Sequence, residues 1–233
     1  SYELGIKTDL FDRKLRFNVS AYYNELKDAQ LTLLSCPQFG GPGPCALPQN
    51  AGDATQKGIE FEVFFKPTEG LTVDASASYI KYKYKCVDPQ VVNNTTLPAG
   101  TCSSNPTVIA ALADPAQGWQ WNLGVQYEAD LGGSGTLTPR IDVNRANRLV
   151  GNVLRAGAGS PAEAFGQIPG YTLANARLTW RNGDKDLDIS LEVTNLFDKY
   201  YFPSKFDLSG LAGSVLGNPG RPREWAISVK KKF

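Results

Sequence analysis

Arg140, Asp142, Arg145, Arg177 and Glu192 are charged residues set among strand-like segments, where they could line a path for a polar ligand. Catalysis has to be weighed against that use. The sequence contains no histidine, so neither a Ser-His-Asp nor a Cys-His arrangement can be assembled. Glu60 and Glu62 fall on one strand face about 7 Å apart, at a rise of about 3.3 Å per residue. That spacing is compatible with a carboxylate pair, but inward charge is also ordinary on the wall of a polar-lined barrel. The glycine clusters, such as Gly40-Gly41-Pro42-Gly43-Pro44, follow no strand-to-helix pattern, and Pro42 and Pro44 lack the N–H groups a phosphate cradle requires. The chain therefore reads as a non-enzyme with no catalytic residue and no cofactor.

Two other side-chain groups could do chemistry. Cys36 with Cys45, and Cys86 with Cys102, form two close pairs, each inside a loop-like stretch. Two local disulfides are the natural pairing, although four cysteines allow three connectivities. Each bridge would contribute at most about 3 kcal/mol through loop closure, and both imply an oxidising compartment. Zinc is the rival, but neither spacing resembles Cys-x-x-Cys and no histidine completes a site, so no metal is expected. Tyr82, Tyr84, Trp119 and Trp121 flank a long loop, where they could stack on a ligand or form an interfacial aromatic girdle.

The elements that must position these residues are strands. The 233 residues carry 24 basic and 23 acidic side chains, a net charge of +1 with no basic stripe, so nucleic acid is not an expected partner. The longest apolar runs, such as Val108 to Ala113, fall far short of the roughly 20 residues of a membrane helix. A membrane barrel stays open, because its two faces alternate and average out along the sequence. No signal peptide precedes Tyr2 and the sequence lacks methionine, which leads us to expect a processed or truncated product.

Alternation recurs along the whole length. Leu15, Phe17, Val19, Ala21 and Tyr23 share one parity, as do Ile59, Phe61, Val63 and Phe65, then Leu71, Val73, Ala75, Ala77 and Tyr79. Beyond Tyr79 the apolar parity flips to Ile80, Tyr82 and Tyr84, which a bulge or an exit from the apolar layer would explain. Trp119 to Leu131 alternates without a break over about 40 Å, longer than most soluble strands. Tilted by about 45 degrees, it matches the apolar band of roughly 25 Å around an outer-membrane barrel. Leu187, Ile189, Leu191 and Val193 then oppose Asp188, Ser190, Glu192 and Thr194.

The connections alternate between tight turns and long loops, the latter over 34 to 57, 86 to 117, 150 to 168 and 203 to 221. About nine strands result, with tight turns at one rim and long loops at the other, as in transmembrane barrels. Bacterial single-chain barrels have even strand numbers, and an open edge in lipid would leave on the order of ten backbone groups unpaired at several kcal/mol each. Further strands are therefore expected upstream in the full-length protein.

Several stretches resemble one family. Asn50-Ala51-Gly52-Asp53-Ala54-Thr55-Gln56-Lys57-Gly58-Ile59-Glu60-Phe61-Glu62 is similar to a strand entry of the TonB-dependent receptors of the Gram-negative outer membrane. Tyr171 to Leu178 and Val193-Thr194-Asn195-Leu196-Phe197-Asp198-Lys199-Tyr200-Tyr201 resemble that family's penultimate hairpin, and Pro219 to Arg223 with the terminal Phe233 its ending. The resemblance implies an all-β, transmembrane antiparallel β-barrel, of which residues 1–233 would supply about nine C-terminal strands out of 22, with the plug and upstream strands absent. It implies import of a scarce siderophore, vitamin or glycan, with energy relayed by the TonB complex through the plug.

The expected location is the bacterial outer membrane, with its lipid, the assembly machinery and a small-molecule or glycan ligand as partners. In the last strand, Trp225, Ile227 and Val229 share a lipid-facing parity. By the same resemblance they end in Phe233 as the signal read by the assembly machinery. A passive porin or structural barrel is the alternative, and a soluble β-sheet binding domain the second.

Overall fold

Alternation of side chains about an extended backbone builds one continuous antiparallel wall. The computed structural model describes residues 1–35, 44–92, 100–112, 117–150, 165–208 and 214–232. Strands β1 (Tyr2–Leu10) and β2 (Leu15–Leu26) form the first hairpin. Its turn places Phe11, Asp12 and Arg13 in the left-handed region, with φ of 52, 54 and 65°. A ribbon of β3 (Gln30–Ser35) and β4 (Pro44–Asn50) leads into β5 (Gly52–Phe65) and β6 (Leu71–Val87). A 3-10 turn over Pro89–Val92 and the short helix α1 (Pro106–Ala110) follow.

The second half opens with β7 (Gly118–Tyr127), β8 (Ala129–Asp130) and β9 (Thr136–Ala146). The two-residue strands β10 (Leu149–Val150) and β11 (Gln167–Ile168) precede β12 (Tyr171–Arg181) and β13 (Leu187–Thr194). The ribbon β14 (Ser204–Leu208) and β15 (Ser214–Asn218) leads to β16 (Glu224–Lys231).

The wall runs in the order β1-β2-β5-β6-β7-β9-β12-β13-β16, with β8 continuing β7 along β9. Gln126 pairs with Arg140 and Ala129 with Leu137, so the register on β9 is the same on both sides of Glu128. The wall thus has the expected nine strands. The remaining strands form three separate two-stranded ribbons inside the long connections. Among the described residues, β1 pairs only with β2 and β16 only with β13, so the sheet has two open edges and does not close.

Register sorts the two faces. Ile227, Leu191, Leu178 and Pro139 lie in one cross-strand row, and Ser228, Ser190, Thr179 and Thr138 in the adjacent row on the opposite face. The apolar face is not buried under another layer: Ile227 is 75 % accessible on the edge strand β16, and Trp119, Leu123, Ile141 and Leu191, inside the wall, are 49, 38, 41 and 44 % accessible. A water-soluble sandwich buries its apolar face, so this wall has the inverted polarity of a transmembrane barrel. The 10 residues of β7 match the ~9–11 that cross a bilayer at a tilt.

Three strands outrun that length. β2, β5 and β6 have 12, 14 and 17 residues and project beyond the apolar band at the long-loop rim. Here the parity flip at Ile80 finds its cause. Pairing of β5 with β6 runs unbroken from Phe65↔Val73 to Ala54↔Tyr84, and the register shifts only between Asp53 and Ala54, so no bulge lies at the flip itself. Instead Ala54 and Tyr84, on the polar-face parity, are buried with Ala51, Val87, Val91, Val108 and Leu112 in the main apolar cluster. The strands have left the apolar band, and the polar-face side of their tips is covered by the β6–β7 connection.

Candidate functional site

The polar face is built row by row. At its centre Arg140 donates to Asp74 through Nη1–Oδ1 (2.9 Å) and Nη2–Oδ2 (3.1 Å), to Asp142 Oδ1 through Nη2 (2.6 Å), and to Gln126 Oε1 through Nη1 (3.2 Å). Asp74 and Asp142 both sit opposite Gly124 in register. A Cβ at Gly124 would come within 2.2 Å of Arg140 Nη2 and 2.6 Å of Asp74 Oδ2. The missing side chain is the space through which the guanidinium reaches both carboxylates.

Toward the long-loop rim, the next row reads Asn144, Asn122, Ser76, Glu62 and Asn18, and the one beyond it Gln120, Ser78, Glu60 and Ser20. Neighbours within the rows hydrogen-bond: Asn122 Nδ2 to Ser76 Oγ at 2.6 Å, Gln120 Nε2 to Ser78 Oγ at 3.0 Å, Asn18 Nδ2 to Glu62 Oε2 at 3.0 Å. All the residues of these rows except Asn18 and Ser20, together with Arg145, Tyr171 and Leu173, border an open trough of about 580 Å³. Its hydroxyls, amides and two carboxylates offer hydrogen-bonding groups. The arrangement can hydrogen-bond a polar group along the two rows.

The expected site residues divide. Arg140 and Asp142 form the ion cluster. Arg177 and Glu192 lie on the same face, 3.4 Å apart, and Arg177 Nη2 also donates to Ser190 Oγ (3.3 Å). Arg145, expected among them, pairs with Trp121 and Thr172 in register with the apolar row. It stands an odd number of residues from Arg140, so alternation turns its side chain to the other side, while the residue itself still borders the trough. At the end of β9 its Nη1 donates to Thr172 Oγ1 (3.3 Å).

Trp119 also belongs to the apolar face, with its ring 5.2 Å from Tyr79 and 6.2 Å from Phe61. Tyr84 is 2 % exposed inside the apolar cluster and Tyr82 packs edge-on against it at 5.0 Å. Tyr84 therefore presents no ring face to a ligand. Cys86 and Cys102 are joined by a disulfide. The expected Cys36–Cys45 bridge and the terminal Phe233 lie outside the described residues. Trp225, Ile227 and Val229 share the apolar side of β16, opposite Val193, Leu191 and Ile189. In the tight turn before β13, hydrogen bonds from Lys231 and Asn182 hold the Asp186 carboxyl below the ordinary carboxylate range.

Residues noted only as motif letters have a structural job. Asn195, 4 % exposed, takes a left-handed φ of 48°, which Asn tolerates better than most residues. Its backbone N–H donates to Asn175 Oδ1 (2.9 Å), and its Nδ2 donates to the carbonyls of Lys199 (2.9 Å) and Arg221 (3.1 Å). Its Oδ1 accepts from Lys199 N (2.9 Å), while Asp198 Oδ1 accepts from Arg223 N (2.9 Å). A Cβ on Gly220 would fall within 2.0 Å of the Tyr201 ring. These contacts clamp both ends of the last long loop to the wall. Asn195→Ala removes the side-chain partner of the part-buried Lys199 N–H and of the Lys199 and Arg221 carbonyls, each such loss costing about 1–3 kcal/mol at full burial and less where water reaches the group. We expect a net loss of about 2–3 kcal/mol, read as a lower unfolding midpoint of the full-length protein.

The inverted polarity, the rim asymmetry and the polar-lined inner wall define a section of an outer-membrane-type barrel. The TonB dependent receptor-like β-barrel family matches residues 1–196. The chain belongs to the TonB-dependent receptor family. It is 22% identical over 233 residues to the metal-pseudopaline receptor CntO of Pseudomonas aeruginosa, covering 100% of this chain and 27% of that protein.

Among solved structures it is similar to the ferric yersiniabactin uptake receptor FyuA of Yersinia pestis. The TM-score is 0.68 at 20% identity, over 100% of this chain and 29% of that one. The siderophore receptor PiuA of Acinetobacter baumannii superposes with a TM-score of 0.65 at 18% identity, over 99% of this chain and 28% of that one. The copper transporter OprC superposes with a TM-score of 0.64 at 19% identity, over 99% and 30% of the two chains. The chain thus spans little more than a quarter of the length of the curated relatives it matches. These likenesses concern transport receptors and no enzyme.

Proposed function

We propose that this chain forms part of the wall of an outer-membrane receptor that takes up a scarce metal chelate of the siderophore class, with energy delivered through TonB. The observation that carries the reading is the polar face, in which the hydrogen-bonded rows of Glu60 and Glu62 line a trough on the long-loop side of the Arg140 cluster. The apolar face meets lipid. The two open edges of β1 and β16 continue into further strands of the same barrel, because unpaired backbone in lipid costs several kcal/mol per group. The metal-chelate class rests on the named specificities of the receptors to which the chain is similar.

The test is uptake of radiolabelled iron, presented with each of a panel of siderophores, by iron-starved cells that carry or lack the full-length gene. At least one siderophore should deliver iron only when the gene is present, and only in cells with functional TonB. A reading frame without a plug domain upstream, together with uptake independent of TonB, would sink the receptor reading in favour of a passive barrel.

A further inference from the structure

We infer that residues 88–92 and 100–112, in the connection between β6 and β7, form a wall-fixed cap that narrows the receptor's mouth and sets the size of molecule admitted to the trough. The inference rests on the receptor reading above and adds an element that selects by size.

The cap is identified by which side of the wall it covers. Leu26, Ala54 and Tyr84 form one cross-strand row on the polar-face parity of β2, β5 and β6. Ala54 and Tyr84 are 1 % and 2 % exposed, and Leu26 packs against the same cluster. The residues that cover them come from the connection: Val91 from the 3-10 turn, Val108 from α1, and Leu112 just after it, all 2 % exposed or less. A loop leaning outward would have buried the opposite parity, that of Lys81, Lys83 and Lys85. Val91, Val108 and Leu112 therefore lie inward, over the polar-face side of the wall at its long-loop rim.

Several ties hold it there. Val87 and Ser103 exchange both backbone hydrogen bonds at 2.9 Å, and Asp88 N donates to Ala51 O at 2.8 Å. The disulfide joins the end of β6 at Cys86 to Cys102, across a separation of 16 residues. Gly52, at φ +132°, admits the Cys86 carbonyl where a Cβ would stand 2.3 Å away. Asn105 caps α1 by accepting from Thr107 N at 3.0 Å, and Gln117 Nε2 donates to Tyr82 O at 3.0 Å where the chain returns to β7. An apolar core, a covalent bridge and backbone pairing at the β6 end make residues 88–92 and 100–112 a fixed part of the wall. Loops that open readily have few buried apolar contacts.

The experiment uses the full-length protein on intact cells, with Ser78→Cys as a reporter in the trough. Two reagents are applied from outside, N-ethylmaleimide and a maleimide on a long polyethylene glycol chain. Val108→Asp with Leu112→Asp releases the cap by placing charge in its core while leaving the wall pairing and the disulfide in place. With the cap intact, the small reagent should label Ser78→Cys and the polymer reagent should react at least about tenfold more slowly than in the released variant, since it must await local opening.

Equal polymer labelling of the intact and released proteins would overturn the cap while leaving the receptor reading standing. Failure of N-ethylmaleimide to reach Ser78→Cys in surface-exposed, folded protein would overturn the trough, and the cap with it. A Cys86→Ser, Cys102→Ser variant is the second handle, should the aspartates prevent assembly. Its polymer labelling should lie between the other two, and a rate equal to that of the intact protein would remove the disulfide from the device.

Discussion

Ile227→Lys destabilises the folded wall by about 2–4 kcal/mol, the cost of a lysine near the bilayer midplane on a lipid-facing strand position. Ser228→Lys, one residue away, costs far less because its side chain points to the polar face beside Ser190 and Glu192. The position within β16 matters as well as the parity. Lys231 is on the apolar parity but reaches the Asp186 carboxylate in the tight turn at 2.5 Å, which marks the rim. Val229, two residues from that rim, lies close enough for a lysine to extend its ammonium into the interface. The expected order of cost is Ile227→Lys, then Val229→Lys, then Ser228→Lys, measured by denaturant titration of the full-length protein in lipid vesicles. Equal costs at 227 and 228 would show that β16 does not separate lipid from lumen.

That order could be written down because period-two alternation is the one signal that survives unaided from sequence to sheet. Where one face is apolar, a slip of one residue would reverse every side chain, so the pattern dictates the register. Trp119 through Leu131 shows this: the strand pauses at Glu128, yet its pairing with β9 stays in step. The same rule, applied strictly, would have placed Arg145 on the apolar side, where it is found. Its charge suggested the polar face, and parity decided otherwise.

Less was legible where partners are distant in sequence. Gly52 to Lys57 lacks an apolar alternation, and it is strand because the projecting half of β6 pairs with it. The flip at Ile80 was visible in the residues, but its cause, the covering of Tyr84 by Val108 and Leu112, depends on a connection whose path no local pattern encodes. The partners of Arg140 were hidden for a related reason. Asp74 is 66 residues away and becomes its neighbour only through the register of β6, β7 and β9, with Gly124 between them. A glycine in the middle of an otherwise uninterrupted alternation was the available signal, since such glycines often mark a close approach.

Arg140→Ala tests whether that approach stabilises the wall. Breaking a fully buried ion pair costs about 3–5 kcal/mol because the partner is left charged and unpaired. Arg140 is 26 % exposed and its two carboxylate partners each 36 %, so solvent softens the loss. We expect about 2–3 kcal/mol, less than for burial and more than the ~0–1 of a surface pair. Arg140→Lys should recover only part of it, because an ammonium cannot make the forked contact with Asp74. Gly124→Ala supplies the control: its methyl group occupies the place of Nη2, so alone it should cost nearly as much as removing the arginine. Combined with Arg140→Ala it should add almost nothing, since the space it fills is then empty, giving a coupling of about 1–3 kcal/mol in the cycle. Simple additivity of the two substitutions in the full-length protein would mean that Gly124 has some other role and that the cluster does not depend on it.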